Sequence, residues 1–204
     1  MTIRLHKHDL PDLSNYSDSA AIDTETLGLR IHRDRLCVVQ LSPGDGTADV
    51  VQIAKGQTEA PNIEALLRDE SVQKIYHYGR FDIAVLYHAF GALSANNFCT
   101  KIASRLTRTY TDRHGLKNLT QELLSVDLSK AQQSSDWAAD ELSVAQQAYA
   151  ASDVLHLHAL RDALLARLER EERRHLAKQC FEFLPTRCLL DLAGWDDTDI
   201  FAHS

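Results

Sequence analysis

Two hydrophobic rhythms divide the chain. In the N-terminal part, apolar residues come in short, β-branched runs: Ala20-Ala21-Ile22, then Arg35-Leu-Cys-Val-Val-Gln-Leu41, then Ala48-Asp-Val-Val-Gln-Ile53. The second run ends on Ser42-Pro43-Gly44-Asp45-Gly46, a dense turn signal, so the three runs predict a three-stranded meander. Pro61-Asn62 opens a helical pattern through Leu67, and Val72-Gln-Lys-Ile-Tyr76 reads as a fourth strand. Residues 1–20, interrupted by Pro11 and Ser14-Asn15, predict only an entry segment of mixed character. From Arg80 the helical period takes over, with Asp82, Val85, Leu86 and Ala89 at offsets of three and four. Another helix begins at Gly115-Leu-Lys-Asn-Leu119 and runs through Leu124. The longest pattern extends from about Leu142 to Leu168, where Leu157, Leu160, Leu164 and Leu168 form one stripe.

Acids interrupt these stripes. Asp82 lies on the core-facing stripe of its helix, and steps of four back from Leu157 reach Asp153 and then Tyr149. A buried, unpaired carboxylate costs several kcal/mol, so such a position is misassigned by the period, capped near a helix start, or bound to something positive. Asp23 and Glu25 add a second oddity. Alternation along a strand points both to one side, and neighbouring carboxylates repel unless a cation lies between them. Oxygen-rich clusters of this kind suit hard ions such as Mg²⁺ or Mn²⁺. Taken singly, a D-x-E pair also marks a solvated strand face, and Tyr149 with Asp153 also describes a core tyrosine beside a surface aspartate. Recurrence of acids at interior positions favours the metal reading.

Composition changes this picture little. At 204 residues, 44% hydrophobic and 25% charged, the chain predicts one ordinary globular domain. It has no apolar stretch of ~18 residues and no charged-then-apolar leader, which predicts a cytoplasmic protein with no membrane partner. Cys37, Cys99, Cys180 and Cys188 form no C-x-x-C and predict buried free thiols. A net charge of −7 argues against binding nucleic acid through bulk electrostatics. Locally the balance reverses: between Thr100 and Lys117 the bases Lys101, Arg105, Arg108, Arg113 and Lys117 face the single acid Asp112. This stretch is either a solvated helix face with its loop or a phosphate-binding surface. The tail turns apolar at Phe181, Phe183, Leu184, Leu189, Leu190, Leu192 and Trp195, so it packs back on the domain or meets another copy, and we expect the interface.

Three segments carry a resemblance. D-T-E-T-x-G (Asp23 to Gly28), H-Y-G-R-F-D (His77 to Asp82) and Y-A-A-S-D (Tyr149 to Asp153) resemble the exonuclease motifs of the DEDD superfamily, tyrosine branch. Ser135-Asp-Trp137, Leu142-Ser143 and Tyr149 to Val154 resemble bacterial ribonuclease D, with coverage from about residue 18 to 168. In length and short tail the chain most resembles the nanoRNase C group, relatives that cleave dinucleotides and form ring-shaped oligomers.

The resemblance implies an α/β, ribonuclease H-like fold: a mixed central sheet, its first three strands antiparallel, flanked by helices. It makes residues 1–176 the exonuclease domain and residues 177–204 an apolar C-terminal tail, a candidate oligomer interface rather than a separate domain. The implied activity is 3′-5′ hydrolysis of short single-stranded RNA, down to dinucleotides, releasing 5′-mononucleotides. DNA is the other substrate class of the branch. Two divalent cations, Mg²⁺ or Mn²⁺ about 3.5–4 Å apart, would clamp the scissile phosphate. By analogy Asp23 bridges them, Glu25 and Asp153 complete the nucleophile-side shell, Asp82 holds the other ion through water, and Tyr149 orients the attacking water. Thr24 and Leu27 fall at the substrate, Leu27 against the terminal bases. His77 and Tyr78 fall where sugar or base is contacted, and Arg113 and Lys117 are the phosphate candidates.

Two other readings compete. A histidine-branch proofreading exonuclease requires His five residues before the last Asp, and that position is Ala148. A non-catalytic nucleic-acid-binding module of the same fold would typically have lost a carboxylate, and all four are present.

Overall fold

The structure is a computed structural model that describes residues 2–129, 131–132 and 134–203. Six strands, β1 (Thr2–Lys7), β2 (Ser19–Thr26), β3 (Leu36–Ser42), β4 (Thr47–Gln52), β5 (Gln73–Tyr76) and β6 (Asn97–Cys99), form one sheet in the order β1-β4-β3-β2-β5-β6. β2, β3 and β4 make the expected antiparallel meander, and β5 and β6 add in parallel beyond β2. The mixed sheet agrees with the expected ribonuclease H-like architecture. Ile22, Val39, Leu41 and Val51 pack into a core with α1 (Pro61–Arg68) and α2 (Gly79–Phe90) on one face. Ala21, Val38, Ala48 and Val50 meet the opposite face, covered by α5 (Val144–Leu155) and α6 (Leu157–Arg170), with α3 (Thr100–Thr107) and α4 (Leu116–Leu124) alongside. Covering both faces is why the meander reads as unbroken apolar runs rather than as alternation.

Three local expectations need correction, and one stretch resolves further. The entry segment contains β1, a polar edge strand parallel to β4. No apolar run announces it because polar contacts hold it there: buried Asp49 accepts from Arg4 Nε and Nη2 at 2.7 Å each, lies 2.7 Å from His6 Nε2 and accepts from the Tyr16 hydroxyl at 2.6 Å. The basic stretch after Cys99 contains α3, with the short strand β6 just before it. The long C-terminal helix is two, broken at His156. No Pro or Gly marks the break. Packing decides it: Ala150, Ala151 and Val154 of α5 lie against the sheet, and the leucines of α6 meet α3 and α4. Finally, Cys180 is exposed while the other three thiols are buried.

The tail divides its apolar residues between two tasks. α7 (Arg174–Leu190) crosses the expected boundary at 176, and it packs on α2 and the edge strand β6, burying Ala177, Leu184 and Cys188. The Phe181 ring sits 4.7 Å from that of Phe98. Leu176, Phe183, Leu189, Trp195, Ile200 and Phe201 stay exposed. No described helix is long and apolar enough to cross a membrane.

Candidate active site

The site forms where β2 outruns its neighbour. β5 pairs with β2 only from Ser19 to Ala21, and after Tyr76 the chain leaves the sheet to enter α2. A gap therefore opens beside the last residues of β2, on the boundary between the antiparallel and parallel halves of the sheet. Asp23 and Glu25 stand at that gap, half-buried, on the face covered by α5. α5 supplies Asp153, and one carboxylate oxygen from each of the three lies within 4.8 Å of the others.

Asp82 arrives from the other face. It lies in the first turn of α2, 3% exposed, and Thr24 donates its hydroxyl to Asp82 Oδ1 at 2.8 Å. Alternation makes this possible: Thr24 points opposite to Asp23 and Glu25, toward α2. The Thr24 side chain is thus buried and engaged with Asp82. Asp23 has its own anchor, Gln40, directly opposite on β3, which donates Nε2 to Oδ2 at 2.7 Å. Gln40 is buried in an apolar strand, and its sequence context carries no functional signal, so only strand register reveals it.

Both motif glycines have steric reasons. A Cβ on Gly28 would lie 2.4 Å from Asp34 Oδ2, and Asp34 holds the following loop by accepting from the Arg30 N–H at 3.0 Å. A Cβ on Gly79 would lie 2.8 Å from the Tyr76 Cβ, so the turn from β5 into α2 closes only with glycine there. A register shift between Glu25 and Thr26 ends the strand, and Leu27 beyond it is 52% exposed at the rim.

Tyr149 lies one turn before Asp153 on α5. Ser143 and Gln146 form a capping box that starts this helix, and Gln146 Nε2 donates to the Asp136 carbonyl at 3.0 Å. This bond holds the loop carrying Trp137, whose buried ring lies 5.9 Å from that of Tyr149. His77 Nδ1 is 2.8 Å from Thr100 Oγ1, and Tyr78 is exposed under the Lys101 ammonium. Lys117 is ion-paired with Asp127 at 3.0 Å, and Arg113 is exposed in the loop between α3 and α4. Among the described residues no hydrogen bond or ion pair joins either base to the four carboxylates.

The charges at the site are unanswered. Burial, and then the charges of Asp82, Asp153 and Glu25, hold Asp23 well above the usual carboxylate range. Burial and the neighbouring aspartates push Glu25 up to about 8. Burial raises Asp82 and Asp153 to about 7 each, against the opposing pull of hydrogen bonds from Thr24 and Tyr149. Burial and the same carboxylates raise the Tyr149 phenol, which keeps it a neutral donor. Converging oxygen donors with no ion-paired cation among the described residues fit a hard divalent metal.

The comparison with known proteins covers the segment that carries these residues. A sequence profile for 3′-5′ exonuclease domains matches residues 9–169. The chain belongs to the 3′-5′ exonuclease family. The ribonuclease D of Gluconacetobacter diazotrophicus is 40% identical over 153 residues, 75% of this chain and 38% of that protein, so the chain spans well under half of that relative. Among solved structures, Brucella melitensis NrnC with bound Mg²⁺ is 64% identical with a TM-score of 0.97, covering 100% of both chains. NrnC bound to pGG is 66% identical, again with a TM-score of 0.97 and 100% of both chains. The expected likeness to the nanoRNase C group within the ribonuclease D-like exonucleases is met over the full chain.

Proposed function

We propose that this exonuclease is a metal-dependent 3′-5′ exoribonuclease that hydrolyses short RNA, down to dinucleotides, and releases 5′-mononucleotides. The observation that carries the reading is the convergence of Asp23, Glu25 and Asp153, with Asp82 reaching the same gap from the opposite face. The pGG bound to Brucella NrnC supports a short substrate. Asp23, Glu25, Asp82 and Asp153 would hold two cations, Mg²⁺ or Mn²⁺, which supply an activated water and stabilise the leaving oxygen. The chain's own contribution is geometric. Gln40 fixes the Asp23 carboxylate, Thr24 fixes Asp82, and Leu27 offers an apolar edge at the rim for the terminal base.

Tyr149 orients water rather than removing its proton, since burial and nearby carboxylates hold its hydroxyl protonated. Tyr149→Phe is expected to lower the single-turnover rate by roughly 10–100-fold, the scale of a misplaced reactant, with metal affinity little changed. An unaltered rate would remove Tyr149 from the mechanism. Substrate length is tested with 5′-labelled RNAs from two to about ten nucleotides and matched DNA. A steep rate maximum at two nucleotides of RNA is expected, and a flat profile would leave a general trimming enzyme.

We further propose that the exposed apolar residues of the tail form the contact between copies in a homo-oligomer. Removing everything after Leu176 would strip Leu184 and Cys188 from the core, so point changes are the appropriate probe. The Phe183 and Phe201 rings meet in a tilted contact, 5.9 Å between centroids, at the surface. Phe183→Asp with Phe201→Asp is expected to lower the mass seen by light scattering, and an unchanged mass would refute this interface.

A further inference from the structure

Arg80 belongs to the H-Y-G-R-F-D segment and sits in the first turn of α2, two residues before Asp82. A cation there opposes the positive end of the helix dipole, so the helix itself gives no reason for it. The reason lies in the tail. After α7 the chain makes one wider helical turn, Asp191–Trp195, beyond residues 9–169 that match the exonuclease profile. Arg80 donates Nε to Asp191 Oδ2 at 2.5 Å and Nη2 to Asp191 Oδ1 at 2.8 Å, and Nη2 also reaches the Asp196 carbonyl at 2.7 Å. From the last turn of α7, Arg187 donates Nε to Asp191 Oδ1 at 2.8 Å and binds the carbonyls of Trp195 and Thr198. The Asp191 side chain is 8% exposed, so this is a shielded Arg–Asp–Arg cluster rather than a surface pair.

The tail holds the backbone of the same turn as well. Buried Cys188 donates its thiol to the Arg80 carbonyl at 3.2 Å, and Leu184 shares a core with Ile83 and Leu86 of α2. Burial, and then the charges of Asp191 and Asp82, push the Cys188 thiol up to about 12, so the sulfur stands near both the tail acid and the site acid. Local chemistry does little to secure this helix start. Tyr78, at its N-cap, is left-handed with φ 70° and supplies no side-chain hydrogen bond. Residues two apart leave a helix on different sides, so Asp82 meets Thr24 of β2 while Arg80 meets the tail. The first turn is gripped from both.

We propose that Arg80 and Asp191 are positioning residues for Asp82: the tail clamps the first turn of α2, and the ligand set for the metals is complete only while that clamp is closed. This rests on the metal-dependent reading for what is positioned. A chain ending at residue 176 would keep all four carboxylates and lack the clamp.

The test uses the full chain carrying Asp191→Asn, Arg80→Gln, both together, or Arg80→Lys. Without metal, hydrogen exchange at the Phe81 and Ile83 amides is expected to be at least about tenfold faster in Asp191→Asn, the scale of one charged hydrogen bond, with the amides of β3 unchanged. With metal, the Mg²⁺ concentration for half-maximal hydrolysis of pGG is expected to rise about tenfold, and calorimetric Mg²⁺ affinity to fall in step, the scale of losing a group that orients a metal ligand. Arg80→Lys, which keeps the charge and loses the fork, should fall between. The double substitution should cost no more than the larger single one, because both changes break one contact. A merely structural pair would lower the melting temperature and leave the Mg²⁺ requirement alone. Unchanged exchange in Asp191→Asn, a wild-type Mg²⁺ requirement in the variants, or additive losses in the double substitution would each overturn the clamp. If the wild type binds no Mg²⁺, the metal reading fails, and the exchange result alone decides whether the tail holds the turn.

Discussion

Asp23→Asn and Asp153→Asn are each expected to lower metal-dependent nucleotide release by about 10²–10³-fold, the scale of losing one preorganised electrostatic group from a reaction centre. Both residues belong to the trio whose oxygens lie within 4.8 Å of one another, and an amide there offers one weaker oxygen and no charge. The variants should remain folded. Each removes a carboxylate whose charged form burial disfavours, so thermal stability of the metal-free protein should hold or rise. Activity near wild type in either purified variant would falsify the metal assignment. Loss of activity accompanied by loss of folding would not support it, so a circular dichroism melt belongs beside every rate.

The second large effect concerns pH and metal together. Glu25 is raised to about 8, and Asp82 and Asp153 to about 7, all above the values of an unfolded chain. Between pH 6.5 and 8.5 the folded state consequently holds protons that the unfolded state has already lost. Stability of the metal-free protein must then fall as pH rises through this window. The opposite behaviour, loss on acidification, belongs to groups acting elsewhere. Asp49 is held below its usual value and acts only in strong acid, and His77, lowered to about 3 by burial, destabilises the fold below about pH 6.5. In EDTA the melting temperature is expected to drop by at least about 5 °C from pH 6.5 to 8.5, given roughly 2–4 °C per kcal/mol for a chain of this size. Mg²⁺ or Mn²⁺ should reverse the slope, because metal binds the deprotonated carboxylates and its advantage grows as protons leave. A metal-free melting temperature that is flat or rising across that range would contradict the electrostatics of the site.

Much of the fold was legible because covered strands and amphipathic helices write their burial into the sequence. Val38, Val39, Val50 and Val51 are buried on alternating faces of one sheet, and the runs that contain them were readable as strands. β1 was not, since its Arg4 and His6 are held by Asp49 of β4, which also accepts from the Tyr16 hydroxyl, and polar contacts over that separation leave no periodic trace. The periodic step from Leu157 back to Asp153 and Tyr149 crossed the break at His156, and it still reached residues that face the carboxylates because α5 and α6 follow each other with a single residue between them. Periodicity placed those two residues in the interior; they are half-buried, lining a gap rather than filling a core.

By itself the sequence determined which carboxylates are candidates, because acids on apolar stripes and the spacing of three short motifs are properties of the chain. It also determined the order of strands and helices in the meander and most helices, through local periodicity and turn chemistry. Only the tertiary structure decided that β2 extends past β5, that Asp82 comes to Asp23 from the opposite face through Thr24, and that Gln40 anchors Asp23. It also sorted the basic stretch into Arg108 and Lys117, which are paired with acids, and Lys101 and Arg105, which have no acidic partner among the described residues. The reason is physical: charge is counted along a chain, but whether a charge is answered depends on what distant segments bring within hydrogen-bond reach.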